Sequence, residues 1–276
     1  MRQKRLIFWL SCLLVVGLLI LTGCQRQTAK QDSWPVIKQR QTVVVGLDDS
    51  FVPMGFRAKN GQLKGYDIDL ARAVFKRYHI KVDFQTIDWS MNATELRNRT
   101  IDLIWNGYTI TPARKRAVRF SQPYLQNKQV LVTMKKNHLN QFSAMRGKTL
   151  GVQTGSSGYA SLEAQPQLLK QYIKKQTPVL YSTFNDAFID LNANRIQGLL
   201  IDRVYADYYI QHQSDPQAYR VVSGDFAPEN FAVGMRKSDR VLQQKIDAAL
   251  KVLYQNGTMQ RLSQKWFGED NSLPQK

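Results

Sequence analysis

The stretch "WNGYTITPARKR", Trp105–Arg116, decides how this chain is read. Just upstream, "IDLIWNG" (101–107) is a short apolar run of strand type. Thr111-Pro112 then marks a helix start: Thr supplies an N-cap oxygen, and Pro fits the first helical position. Arg114, Lys115 and Arg116 crowd the first turn. A helix start already carries about half a positive charge. Cations are unfavourable there unless an anion joins them. A strand, a polar turn and a cation-loaded helix start therefore point to a site for an anionic group. Arg114 is its natural clamp, because a guanidinium on a rigid helix start can grip a carboxylate through two hydrogen bonds.

Outward from this stretch, strand and helix alternate. "TVVVGL" (42–47) predicts a buried strand and "YDIDLARAVFKRYH" (66–79) an amphipathic helix that Asp67 can cap. Ile68, Ala71, Val74, Phe75 and Tyr78 form the apolar face of that helix. "KVDFQTI" (81–87) reads as a strand and "MNATELRNR" (91–99) as a short helix with Asn92 and Glu95 as a capping pair. After a long excursion the pattern resumes with "QVLVTMKK" (129–136), "KTLGVQTGSSGYASLEAQ" (148–165), "PVLYS" (178–182), "FNDAFIDLNANR" (184–195) and "GLLID" (198–202). "RVYADYYIQHQ" predicts a helix, "YRVVS" and "NFAVGMRK" (230–237) predict strands, and two helices end the chain. The class is α/β, with two sets of βαβ units. Open parallel sheets bind ligands beyond the carboxyl ends of their strands.

The residues at those ends are suggestive together. Asp48, Asp49, Ser50 and Phe51 follow the first strand, and Asp88 and Trp89 the second. Asn106, Gly107, Tyr108 and Thr109 follow the third, with Arg114 just beyond. Gln153 leads into "TGSSG" (154–158), whose Ser156 and Ser157 open a helix; small residues there free backbone N–H groups for a carboxylate. Asp202 ends "GLLID", where it can serve a ligand or cap the next helix. His79, His138 and His212 are scattered, so no metal site is expected. No nucleotide-cofactor glycine pattern and no nucleophile–histidine constellation appears.

The N-terminus indicates export. "MRQKR" is a basic segment, "LIFWLSCLLVVGLLIL" a long apolar one, and "LTGC" closes it at Cys24. This resembles a bacterial lipoprotein signal (1–23), in which the Cys becomes the lipidated mature N-terminus. Cys12 leaves with the signal, so the exported part folds without a disulfide. Residues 24–37 read as a polar tether. The net charge of +18 is spread along the chain with no arginine-rich arm, which argues against nucleic acid as the partner.

Six motifs in order, "GLDDSFVPMGF", "GYDIDLARAV", "IDLIWNGYTITPARKRAVRFSQPYL", "LGVQTGSSG", "GLLID" and "NGTMQRLSQKWFG", resemble the bacterial family 3 solute-binding proteins over roughly residues 40–268. These serve ABC importers of polar amino acids. The resemblance implies a periplasmic-binding-protein-like type II fold: two α/β lobes on a two-strand hinge. Lobe one would comprise 38–126 and 229–270, lobe two 127–228, with the hinge near Gln126–Val130 and Pro228–Phe231. By the same resemblance Arg114 binds the ligand α-carboxylate, and Gly107 and Thr109 its α-amino and carboxylate groups. Asp202 holds the α-ammonium, and Ser156 and Ser157 donate to the carboxylate. Phe51 and Trp89 are aromatic walls, and Asp48 touches the side chain. Asn106 and Gln153 occupy further site positions; Trp105, Asn106, Gln153 and Ile201 depart from the family's pattern, Gln153 and Ile201 from that of glutamine binders.

The resemblance implies a monomeric, cofactor-free, non-enzymatic carrier, lipid-anchored on the outer face of a membrane, Gram-positive rather than periplasmic. It would deliver a free polar amino acid to ABC permease subunits. Glutamine is the first candidate, from the aromatic, neutral walls; a cationic amino acid or cystine is the alternative. Two other classes share the scaffold: cyclohexadienyl dehydratase-like enzymes, and surface adhesins or sensors.

Overall fold

The computed structural model describes residues 31–276; the expected signal and the tether up to residue 30, Cys24 included, lie outside the described residues. The β-branched run Thr42–Leu47 forms β1, followed by a small hairpin of β2 (Ser50–Phe51), β3 (Gly55–Arg57) and β4 (Leu63–Lys64). The helix Tyr66–Lys76 leads to β5 (Lys81–Thr86), and the helix Asn92–Asn98 to β6 (Leu103–Ile104). The helix Pro112–Ala117, β7 (Arg119–Phe120) and β8 (Leu125–Asn127) complete the first passage. The second half holds β9 (Gln129–Met134), β10 (Leu150–Gln153), the helix Ser157–Ala164, β11 (Val179–Tyr181) and the helix Phe184–Asn192. Then come β12 (Gly198–Asp202), the helix Arg203–Gln211 and β13 (Tyr219–Ser223). The chain returns through β14 (Glu229–Phe231) to β15 (Gly234–Met235) and the helices Arg240–Gln255 and Thr258–Phe267.

These strands make two five-stranded sheets, ordered β5-β1-β6-β15-β7 and β11-β10-β12-β9-β13. In the first, β1 lies parallel to β5 and β6; in the second, β10 lies parallel to β11 and β12. Each sheet also receives one antiparallel strand directly after the chain crosses over, β15 in the first and β9 in the second. Between the sheets β8 and β14 pair antiparallel, with Glu229 opposite Asn127 and Phe231 opposite Leu125. Two lobes and a two-strand crossover are therefore visible in the topology itself. The helix Tyr66–Lys76 buries Ile68, Ala71, Val74 and Phe75, and the helix Arg240–Gln255 buries Leu242, Ile246, Ala249, Leu250 and Leu253, as their periodicity requires. No helix among the described residues is long and apolar enough to cross a membrane.

Several local expectations are corrected. The tether expected through residue 37 ends earlier, because Trp34–Arg40 is a helix with Ile37 buried. Ser33 donates from its amide and hydroxyl to Asp239 Oδ1 at 2.9 and 2.8 Å, and Val241 N donates to Asp32 Oδ2 at 2.6 Å. Residues 32–40 thus belong to the fold, Asp32 and Ser33 being held by contacts far away in sequence. The fold also runs past residue 270: Leu273 N donates to Tyr124 O at 3.1 Å. The expected strand 101–107 shrinks to Leu103–Ile104, since Gly107 turns into left-handed geometry at φ +58°. The expected strand 230–237 divides into β14 in the crossover and β15 in the first sheet. Asn92 and Glu95 form no capping pair; Asp88 instead accepts Ser90 N at 2.9 Å, and Asn92 Nδ2 donates to Trp89 O. Asp67 caps nothing, for reasons that bear on the site.

Candidate functional site

Parallel strands deliver the candidate residues to one place. Asp48 follows β1, Trp89 follows β5, and Asn106, Gly107 and Thr109 follow β6. Gln153 ends β10, Ser156 caps the next helix by accepting Tyr159 N at 3.1 Å, and Asp202 ends β12. One small cavity, of about 10 Å³, is lined by Phe51, Trp89, Asn106, Gly107, Arg114, Gln153, Ser156, Ser157 and Asp202. The two remaining candidates abut it. Asp48 Oδ2 accepts from Gln153 Nε2 at 2.9 Å, and Thr109 Oγ1 donates to Ser157 Oγ at 3.0 Å. All eleven are buried except Arg114, which is half-buried. A larger groove of about 400 Å³ runs along the crossover strands past Lys128, Arg203 and Trp266, but none of the eleven lines it.

The lobes meet at this cavity. Arg114 donates from one terminal nitrogen to Thr109 O in its own lobe and from the other to Gly155 O in the opposite lobe, both at 3.0 Å. Its guanidinium lies 4.2 Å from the centroid of the Tyr108 ring. The Phe51 ring sits 5.4 Å from Tyr205 and 5.8 Å from Phe184, both in the second lobe. Two glycines allow the close fit. A Cβ on Gly107 would stand 2.9 Å from the Phe51 ring, and one on Gly155 2.9 Å from the Ser90 backbone.

The six-residue helix Pro112–Ala117 starts as its sequence predicts, with Thr111 Oγ1 accepting Arg114 N at 3.1 Å. The Arg114 side chain turns from the helix into the cavity. Burial lowers its pKa, and Tyr108, Glu229 and Asp202 oppose that shift. Asp202 takes the N-cap position of the following helix but makes no capping bond. Its Oδ1 accepts instead from Asn127 Nδ2 at 2.6 Å and Gln129 Nε2 at 2.9 Å. This removes the helix-cap reading left open by the sequence. Burial raises the pKa of Asp202, and the neighbouring Glu229 carboxylate adds to it. Asp48 is likewise raised, chiefly by burial, against hydrogen bonds from Ser50 and Gln153.

Sequence reasoning missed a supporting layer. Asp67 Oδ2 accepts Gly107 N at 2.7 Å and Tyr124 Oη–H at 2.9 Å, tying the left-handed turn of the site to the segment that enters the crossover. Burial pushes the Asp67 pKa up to about 7. Asn127 and Glu229, on the crossover strands, and Gln129, at the start of β9, also belong here. The available signal was polarity out of place: Gln129 begins an otherwise apolar strand and is fully buried.

A cavity between two lobes, lined by the Arg114 guanidinium and the Asp202 carboxylate, offers opposite charges to a small dipolar solute. Comparison with known proteins agrees at the level of family. Residues 43–269 match the bacterial extracellular solute-binding proteins, family 3. The chain is similar to the crystal structure of an ABC uptake transporter substrate binding protein from Streptococcus pneumoniae with bound histidine. That likeness has a TM-score of 0.86 and 48% identity over 87% of this chain and 98% of the other. It is 26% identical to the arginine-binding extracellular protein ArtP of Bacillus subtilis (strain 168), over 90% of this chain and 92% of that protein. It is 27% identical to the L-cystine-binding protein TcyJ of Escherichia coli (strain K12), over 85% of each. The chain belongs to the bacterial extracellular solute-binding proteins of family 3.

Proposed function

We propose that the protein captures a free polar amino acid in the cavity between its lobes and delivers it to the membrane subunits of an ABC importer. The observation that carries this reading is the placement of opposite charges. Arg114 comes from the first lobe and Asp202 from the second, and both line the same cavity. An amino acid carries a carboxylate and an ammonium on one carbon, so it bridges the lobes only when they are together. Arg114 takes the α-carboxylate, with the hydroxyls and amides of Thr109, Ser156 and Ser157 beside it; Asp202 takes the α-ammonium. Phe51 and Trp89 wall the ligand, and Asn106 and Gly107 shape the turn beneath it.

Asp48 and Gln153 mark the side-chain end. A carboxylate acceptor there favours side chains bearing N–H groups, a set that includes glutamine, histidine and arginine. The similar proteins named for histidine, arginine and cystine keep all three beside glutamine as ligands to be tested. The reading is of a carrier, not an enzyme, held on the outer face of the membrane through Cys24 and its "LTGC" motif. A thermal-shift screen over the amino acids tests it, since a ligand at 100 times its Kd adds about 2.7 kcal/mol. A clear rise with one or a few polar amino acids is expected. No rise with any of them, or turnover of prephenate or arogenate, overturns the reading.

A further inference from the structure

Glu229 opens β14 on the crossover, opposite Asn127, and is half-buried. Its Oε2 accepts from Gln129 Nε2 at 3.0 Å, Ser157 Oγ at 3.2 Å and Thr109 Oγ1 at 3.4 Å, while Oε1 accepts from Ser161 Oγ at 3.4 Å. These donors come from both lobes. The Gln129 amide nitrogen also donates to Asp202 Oδ1 at 2.9 Å. Two carboxylates thus converge on one neutral amide group.

Among the described residues, Arg114 acts on both carboxylates electrostatically, but its terminal nitrogens donate elsewhere. Of the charged groups, Arg114 and Asp202 line the cavity, Asp48 adjoins it through Gln153, and Glu229 adjoins it through Ser157. Arg114 is committed to the carbonyls of Thr109 and Gly155 and stacks on Tyr108. An ammonium has three N–H donors and no acceptor. Placed beside the shared amide, it would satisfy both carboxylates and cancel their mutual repulsion. The repulsion itself is visible in the raised pKa of Asp202, where Glu229 is the second cause after burial.

We propose that Glu229 is the second carboxylate of the ammonium subsite, so that the ligand α-ammonium is held between Asp202 at the end of β12 and Glu229 on the returning crossover strand. The proposal rests on reading the cavity as an amino-acid site. It adds a ligand-sensing charge to the crossover: the strand that must bend on closure carries one of the groups that the ligand neutralises. It also gives the Thr109 and Ser157 hydroxyls an acceptor that orients their protons.

The test compares Glu229→Gln and Glu229→Asp with the wild-type protein. The probe is whichever of L-glutamine, L-histidine, L-arginine and L-cystine binds wild type most tightly by calorimetry, together with the analogue that lacks only its α-amino group. Glu229→Gln should weaken the amino acid by roughly 30-fold or more, the lower part of the range for a lost buried charge partner. The deaminated analogue, measured by competition, should change less than about threefold, because it offers nothing for Glu229 to hold. Glu229→Asp keeps the charge and should recover part of the loss. Equal losses for both ligands, or equal losses in both variants, would make Glu229 a structural brace and overturn the proposal. Tighter binding by Glu229→Gln would also overturn it, showing that Glu229 competes with the ligand carboxylate for the Thr109 and Ser157 hydroxyls. If none of the four amino acids binds wild type, the reading of the cavity fails first, and the two failures remain distinct.

Discussion

Asp48 of the first lobe accepts a hydrogen bond from the Gln153 side chain of the second at 2.9 Å, and the same amide also donates to Ser182 O at 3.0 Å. One side chain therefore links the end of β1 to the second lobe. Gln153→Ala removes this link and leaves a buried carboxylate oxygen without that donor. An orphaned buried polar group costs about 1–3 kcal/mol. The expected result is a comparable loss of ligand affinity by calorimetry, with more ligand needed for compaction in small-angle scattering. Unchanged affinity and compaction would show that the contact has no part in closure.

Arg114→Lys keeps the charge but not the fork. A lysine cannot reach Thr109 O and Gly155 O together while lying flat on Tyr108, nor offer two parallel donors to a carboxylate. Affinity should fall by roughly 2–5 kcal/mol, as for other truncated buried charge pairs. Calorimetry at matched pH measures it. Binding at wild-type strength would reduce Arg114 to a tie between the lobes.

Cys24→Ser tests the anchor. "LTGC" after an apolar run is the motive. One acyl chain gives only marginal membrane binding, so stable anchoring needs the several chains of a lipoprotein terminus. Fractionation of expressing cells should move the variant from the membrane to the soluble or secreted fraction. A variant as membrane-bound as wild type would mean that the apolar segment itself holds the protein.

Much of the fold was legible because β-branched runs and amphipathic faces are local signals. Thr42–Leu47, Gly198–Asp202 and Tyr219–Ser223 form strands with the bounds their sequence suggests. The nearness of the candidate site residues was legible because a parallel sheet places its strand ends together, so scattered polar turns come to line one cavity. What escaped depends on contacts far apart in sequence. Asp67 looks like a helix-start acid until Gly107 donates to it from 40 residues away. Glu229 looks like a surface residue until Gln129, 100 residues earlier, reaches it. The segment 32–37 follows a polar run and reads with it as tether, yet Ser33 is fixed by Asp239 across 206 residues.

Asp67→Asn separates the role of that acid in the site from its cost. Its pKa is raised from 3.8 to about 7 in the fold by burial. A carboxyl whose folded pKa exceeds its unfolded value holds its proton more tightly when folded, so stability declines as pH rises between the two values. This group therefore contributes no penalty below about pH 4, a growing one from about pH 4 to 7, and a constant one above. The amide keeps an oxygen for Gly107 N–H and Tyr124 Oη–H but cannot ionise. Urea unfolding at several pH values should show the variant losing less stability than wild type across that window. An identical slope in both proteins would mean that Asp67 has the same pKa in the folded and unfolded states.

Asp202→Asn addresses the second pole of the ligand. Because Asp202 makes no capping bond, the substitution costs the helix Arg203–Gln211 nothing. The amide oxygen can still accept from Asn127 and Gln129, and removing one of two neighbouring carboxylates relieves repulsion with Glu229. Without ligand the variant should melt at or slightly above the wild-type temperature. Its affinity for the amino acid should nevertheless fall by roughly 2–5 kcal/mol. Ligand shifts a closing equilibrium only by its differential affinity for the closed form. Small-angle scattering should therefore show wild type compacting at ligand concentrations that leave the variant unchanged. The pH profile supplies an independent check. Burial and Glu229 raise the pKa of Asp202, and its protonated form cannot balance an ammonium. Wild-type affinity should weaken as pH falls through that raised pKa, whereas the variant loses the part of this dependence that Asp202 supplies. A variant that binds, closes and responds to pH like wild type would remove Asp202 from the site and leave the ammonium to Glu229 alone.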